Sequence, residues 1–222
     1  MTHDFARRRL PALLLAGLGV MSLAACAGDN EIDASSGVGI TATRSACPAT
    51  GVPLHTGDIT LFDAPGRTDA AAIDIVATIT NLTVACNDSG EKVYAAASFD
   101  VMATRRDAGG ARTVKLPYFS TVVQGGSAVV AKRIGEVSVA FADGQVRGSG
   151  KGQAAAYVDR AAATLPADIQ QRITRKRKAG DGDAAIDPLS EPEVRAALQR
   201  ASFELLVGFQ MSLDQLEYNV RR

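Results

Sequence analysis

The chain contains no tryptophan, and its aromatic residues amount to only 5% of 222. A stacking platform for sugar rings or nucleobases is therefore disfavoured, because such sites are built from aromatic faces. Charge of either sign is not in excess: 24 basic residues balance 24 acidic ones. That balance argues against nucleic acid as a partner, since phosphate backbones are met by clustered net positive charge. Histidine is scarce, and His55 is the one that follows the first 25 residues. A His-rich metal cluster cannot be built from it. No Gly-x-Ser-x-Gly turn accompanies it to suggest a nucleophile elbow, and its neighbours Gly51, Pro53 and Gly57 place it in a surface turn. No Cys-x-x-Cys pair is present, so neither a dithiol redox site nor a zinc ribbon is expected. No cofactor motif emerges. Gly148-Ser149-Gly150-Lys151-Gly152 has the flavour of a phosphate loop. However, Gln145 stands where the leading Gly is needed, and Gly152 where a Ser or Thr must bind magnesium. The stretch reads as a flexible β-turn.

What is present at the start is a three-part leader. Arg7, Arg8 and Arg9 form a basic head, Leu10 to Val20 is apolar, and small residues follow. This is the layout of a secretory signal, and the apolar run is too short to span a bilayer comfortably. Leu23-Ala24-Ala25-Cys26 resembles the bacterial lipobox. The resemblance implies cleavage before Cys26, a diacylglycerol on its thiol and an additional N-acyl chain such as palmitate. Two or three chains make a stable anchor where one is marginal. Ala27 rather than Asp follows the cysteine, which by the same resemblance implies sorting to the outer membrane, on its periplasmic face.

Cleavage leaves about 197 residues, enough for one domain with an insertion. The leader takes three basic residues and one acidic residue with it, leaving 21 against 23. Cys47 and Cys86 remain. In an oxidising compartment an even pair is expected to form a disulfide, which here ties the N-terminal segment to the sheet.

Residues 26–45 are small and polar without sustained periodicity and read as a flexible tether. Residues 46–222 then read as a single domain. Ile73, Ile75, Ala77 and Ile79 alternate with polar or β-branched neighbours, the period of a strand. The apolar set shifts after Asn81, which marks a bulge. Asn87-Asp88-Ser89-Gly90 turns the chain into the clearest strand, Val93 to Ala103, and the two form a hairpin. Val114 to Phe119 follows. Pro117 lacks a ladder donor, so this strand is expected to be an edge or to break there. Ser127 to Ile134 and Glu136 to Phe141 read as two strands around Gly135, Asp143-Gly144 as a hairpin turn, and Val146 to Val158 as a weak, Gly-rich strand.

The pattern then becomes helical over about 160–200. Pro166 to Lys178 carries Ile169 and Ile173 four apart, and Glu191 to Ala201 carries Val194, Leu198 and Ala201 on one side. Asp181, Asp183 and Asp187 lack the EF-hand spacing and read as a solvated acidic loop. Phe203 to Phe209 returns to strand, and Ser212 with Gln215 forms a capping-box pattern for a last helix. Many short strands with turn chemistry favour an antiparallel immunoglobulin-like β-sandwich with a short helical insertion before the last strand. A barrel or α+β layout is the alternative.

Arg172, Arg175, Lys176, Arg177 and Lys178 crowd the end of the first helix. They either complement the helix dipole or dock an anionic partner: phospholipid head groups, glycan or an acidic protein. The closing stretch from Phe203 to Arg222, together with Pro117-Tyr118-Phe119 and Cys47-Pro48, resembles a group of uncharacterised proteobacterial envelope lipoproteins. That resemblance implies an envelope location and no activity. The sequence-level expectation is thus a lipid-anchored, non-catalytic interaction or structural module. The alternatives are a periplasmic enzyme with an unrecognised carboxylate or hydroxyl site, and an accessory subunit of an export or assembly machine.

Overall fold

A computed structural model describes residues 39–221. The leader, Cys26 and most of the expected tether lie outside the described residues. The strands are β1 (Ala49–Gly51), β2 (Asp58–Phe62), β3 (Ile73–Asn87), β4 (Lys92–Arg105), β5 (Arg112–Gln124), β6 (Ala128–Phe141), β7 (Arg147–Asp159) and β8 (Phe203–Phe209). The helices are α1 (Arg160–Ala163), α2 (Ala167–Thr174), α3 (Pro192–Ala201) and α4 (Leu213–Arg221). The protein is mainly β, as the alternation predicts. The strands do not separate into the two facing sheets of an immunoglobulin-like sandwich. They form one eight-stranded sheet in the order β1-β8-β5-β6-β7-β4-β3-β2, curled into a half-barrel. Pairing is antiparallel except that β1 runs parallel to β8. The helical insertion does fall before the last strand, as α2 and α3.

The curl follows from side-chain size on its inner face. Inward residues of β4 are Val93, Ala95, Ala97, Phe99, Val101 and Ala103, all buried. They face the inward residues of β7, which shrink along the strand: Val158, Ala156, Ala154, Gly152, Gly150, Gly148. A concave face has little room at its tightest point, so glycine takes it. Gly148 to Gly152 is accordingly the interior of the Gly-rich strand read over Val146 to Val158, and the turn suggested by its phosphate-loop-like spelling does not form. The Phe99 ring lies over Gly152, and carbonyls of β6 lie over the other two. A Cβ on Gly150 would sit 2.5 Å from the Ser138 oxygen, and one on Gly148 would sit 2.7 Å from that of Ala140.

Two further expectations are revised. Gly135 does not divide β6, which is continuous; the Tyr118 ring covers it, 2.6 Å from where a Cβ would be. Covering a strand glycine with a cross-strand aromatic keeps the strand intact. Pro117 neither ends β5 nor puts it at an edge. N–H and C=O of one strand residue point to the same side, and the Pro117 carbonyl accepts from Gln210 N on the β8 side. The missing donor therefore falls just past the end of β8, where the ladder begins at Tyr118↔Phe209. The bulge expected at Asn81 is present: it takes φ +51°, the β3–β4 register shifts there, and its amide donates to Asp100 at 2.8 Å.

The two ends of the curl are drawn together. β1 and β2 end the strand order yet are consecutive in the chain, and the link between them bonds to both sides. Thr56 O accepts from Phe209 N at 2.7 Å, and Gly57 O accepts from Ile79 N at 2.8 Å. Cys47 and Cys86 form a disulfide just before β1, at the part of β3 that β2 leaves uncovered. The α4 residue Asn219 is buried and donates to the carbonyls of His55 and Asp58, and the capping box predicted at Ser212 and Gln215 starts that helix.

Where the β4–β5 and β6–β7 turns meet, Arg105 is buried and donates to four carbonyls: Gln145 at 2.8 Å, Gly110 at 2.8 Å, Gly109 at 2.6 Å and Ala142 at 3.3 Å. Its guanidinium also stands 5.3 Å from the centre of the Phe141 ring. One side chain thus holds the β4–β5 and β6–β7 turns together. Arg105→Met removes every donor but keeps an apolar stem. It is expected to cost about 2 kcal/mol, read as a lower urea midpoint, because carbonyls are left unpaired. Arg105→Lys should recover only part, since one ammonium cannot reach four divergent acceptors.

A second, smaller core joins α2 and α3 through Ile169, Ile173, Val194, Ala197 and Ala201. α2 ends at Thr174, so Arg175 to Lys178 lie beyond it rather than on the helix expected to run to Lys178. The part of the expected tether that is described is bound to these helices. Ala42 N donates to Ile173 O, and Arg44 donates to Ala201 O at 2.7 Å and to Ser202 Oγ at 3.0 Å. Arg44 thereby caps the carbonyl end of α3, where unpaired acceptors collect.

Candidate functional site

Three places on the molecule gather charged, polar or exposed apolar side chains. The basic run comes first, because it is the anionic-partner site expected from sequence. Arg172 meets Asp168, Glu191 and Glu193, the last at 2.7 Å, and its guanidinium is held charged above its ordinary value mainly by the Glu193 hydrogen bond. Arg175 pairs with Asp183. Arg177 is buried, reaches Asp183 at 3.4 Å and donates to Ile40 O at 3.2 Å. The three arginines thus tie α2, the following loop and the N-terminal segment together, and among the described residues Lys176 and Lys178 make no ion pair. The acidic loop serves the same local ends. Asp181 accepts from Lys178 N, and Asp187 accepts from Leu189 N. Among the described residues no group of three or more potential metal ligands occurs.

The second place is a cavity of about 860 Å³ with a mixed polar and apolar lining, between α4 and the β2–β3 connection. Arg112 meets Asp74 in a two-pronged pair at 3.0 and 2.8 Å, Arg67 bridges Asp63 and Asp69, and Phe62 stands edge-on to Tyr218. The hydrogen bond from Arg67 holds the Asp69 carboxyl below its ordinary range, so it stays ionised. A proton donor at neutral pH needs the opposite shift. His55 is exposed in the β1–β2 link with φ +63°, and among the described residues no ion pair includes it.

The third place is the seam between β6 and β7. β6 pairs with β5 along its whole length, but with β7 only at Ala140↔Ser149. From there the strands diverge. Tyr118 wedges the gap: its ring lies over Gly135, stacks edge-on against Phe99 with ring centres 5.1 Å apart, and its hydroxyl donates to Gln153 O. A cleft of about 480 Å³ opens there, bounded by Arg133, Ile134 and Gly135 on one side and by Gln153 to Ala155 on the other. Ile134 in its lining is 56% exposed, and Val129 and Val130 further along β6 and Tyr157 further along β7 are exposed at 63%, 52% and 63%. The sequence expectation missed this seam. The readable signal was Ala128-Val129-Val130-Ala131, apolar at successive positions and so apolar on both faces, which no half-buried strand requires.

No protein family, curated protein or solved structure matches the chain.

Proposed function

We propose that the chain is a lipid-anchored lipoprotein on the periplasmic face of the outer membrane whose half-barrel acts as a non-catalytic interaction module. The lipobox-like Leu23-Ala24-Ala25-Cys26 supports the anchor, and the Cys47–Cys86 pair agrees with an oxidising compartment. The interaction role is carried by the open β6–β7 seam, because unpaired strand edges bearing exposed apolar side chains are places where another chain can bind. Photo-crosslinking from Ile134 and Tyr157 in native envelopes tests that role. A discrete adduct from these positions, absent from a distant exposed site such as Leu54, is expected; its absence refutes it.

The anchor is tested separately by Cys26→Ser. Each buried methylene contributes about 0.8 kcal/mol to membrane binding, so removing the acyl chains removes nearly all of it. The variant is expected to lose alkyne-palmitate labelling and to move from the membrane pellet to the soluble fraction or to persist as the uncleaved precursor. Wild-type chain that takes no label and stays in the cytosol overturns the anchor.

The cavity beside α4 favours a second reading, a periplasmic small-ligand or enzyme site using Asp214, Glu217 or Tyr218. A ligand whose binding is lost in Arg112→Ala would establish it.

A further inference from the structure

We infer that the seam takes an extended acidic segment of a partner polypeptide, added as a strand alongside Ala131–Glu136 of β6. The inference rests on the interaction reading above and supplies the partner's chemistry. Backbone geometry sets the first requirement. A strand with one neighbour leaves every second N–H and C=O directed at nothing, and an extended peptide satisfies a row of such groups at the strand spacing. Both rims have this character. β6 has β5 on one side, and between Ala128 and Val139 no β7 ladder on the other; β7 beyond Ser149 has β4 alone. Tyr118 already supplies a donor to Gln153 O, which a strand neighbour would otherwise meet, and so marks where the sheet was opened.

The register of β5 on β6 bounds the available edge. Val122 pairs with Ala131 and Val123 with Val129, so Val130 is the extra residue of a bulge. Bulges interrupt pairing on both sides, which leaves Ala131 to Glu136 as the regular stretch. The cleft floor beside it is small, with Ala96, Ala97, Ala154 and Ala155 among its lining residues, so side chains of an added strand have room.

Charge selects the occupant. Lys132 and Arg133 are adjacent, so they point to opposite faces of the strand and make both faces of the edge cationic. Lys132 stands 5.2 Å from the Phe119 ring centre, and no carboxylate pairs with either residue among the described ion pairs. Glu136 is held by Lys115 at 3.4 Å. A second copy of the chain fits poorly. Antiparallel self-pairing of Ala131–Glu136 centres between Arg133 and Ile134 and sets two Lys132–Arg133 pairs within a few residues of one another, while the nearby Glu136 is already held by Lys115, and like charges across a strand pair are unfavourable. Carboxylates on the incoming strand reverse that sign.

The test uses the full lipidated chain in detergent and three nonapeptides: alternating Val and Glu, alternating Val and Lys, and the Val/Glu peptide N-methylated at every second residue. The Val/Glu peptide is expected to slow amide exchange at Ala131 to Glu136 and to bind at least tenfold more tightly than the Val/Lys peptide in low salt. N-methylation on the pairing edge should abolish binding. Lys132→Glu/Arg133→Glu should invert the preference, which a merely damaged fold could not do. Binding that is equal for all three peptides, or that leaves these amides unprotected, overturns the inference. So does concentration-dependent dimerisation that protects the same amides, since the occupant is then a second copy. An Ile134 crosslink in envelopes without amide protection by the Val/Glu peptide refutes strand addition while leaving the interaction module standing. Loss of the crosslink removes both.

Discussion

Gly152→Ala is expected to lower the stability of the folded chain by about 3 kcal/mol, at the upper end of what overpacking a core costs. The added methyl would lie 2.1 Å from Phe99 Cζ and within 2.8 Å of two further ring atoms. The ring cannot simply withdraw. It is 2% exposed, Tyr118 stands edge-on against it, and Phe99 and Gly152 face each other directly in the β4–β7 ladder. Relief must come from flattening the sheet at the point where its curl is tightest, which strains the neighbouring contacts of β6 with Gly150 and Gly148. The measurement is a urea melt of Gly152→Ala, Phe99→Leu and the double variant. Phe99→Leu alone costs little more than 1 kcal/mol, being a modest volume loss. In the double variant part of the clash disappears, so the two effects should fall short of additivity by more than 1 kcal/mol. Gly109→Ala, which meets no atom within 4 Å and sits at ordinary φ, is the control and should be near neutral. A cost at Gly152 no larger than at Gly109 would show that the Phe99 ring does not rest on the strand.

The same glycines explain where the sequence was legible and where it was not. Strands whose inward residues are larger than alanine announce themselves by alternation: β3 from Ile73, β4 from Val93 and β8 from Phe203 were placed within a residue or two. The bulge at Asn81 was legible because the apolar phase slips there, and the last helix because Ser212 and Gln215 satisfy each other's backbone donors locally. Gly148 to Gly152 was legible only weakly: the alternation from Val146 to Val158 marks a strand, but glycine's own preference is for turns, and what keeps it in the strand is a phenylalanine some 50 residues away. Gly135 and Pro117 misled for the same reason, since a ring and the end of a neighbouring strand excuse them. The sandwich expectation failed at a longer range. Alternation says which residues face inward but not which strand lies beside which, and so it cannot distinguish two facing sheets from one that curls on itself. Of the candidate sites, the basic run was visible as composition, but its partners Asp183, Glu191 and Glu193 lie in separate elements. The β6–β7 seam was hidden because an unpaired edge is a property of two strands together.

Removing the Cys47–Cys86 bridge is expected to have the largest effect on stability of any change that leaves the packing almost untouched. The bridge closes a loop of 39 residues, and the entropy withheld from the unfolded chain by that closure corresponds to roughly 4 kcal/mol. Native contacts at the site are few: Cys86 is exposed, and Cys47 is half-buried among Ala46 and Leu82 at the margin of the main core. A Cys47→Ala/Cys86→Ala chain should therefore keep its far-ultraviolet spectrum while its urea midpoint falls by an amount equivalent to most of that figure. Because Cys86 is at the surface, a mild thiol reductant should open the bridge in the folded protein and give the same midpoint as the double variant. The loss should also be felt locally. The bridge is the covalent tie between the segment entering β1 and the stretch of β3 that β2 does not cover, so amide exchange in Ala46–Gly51 should quicken more than in β4 or β7. The hydrogen bonds of Thr56 and Gly57 still close the curl one strand away, which is why unfolding should remain a single transition. A drop of less than 1 kcal/mol, with unchanged exchange in β1, would mean that those hydrogen bonds and α4 hold the ends together unaided and that the thiols need not be joined for the half-barrel to form.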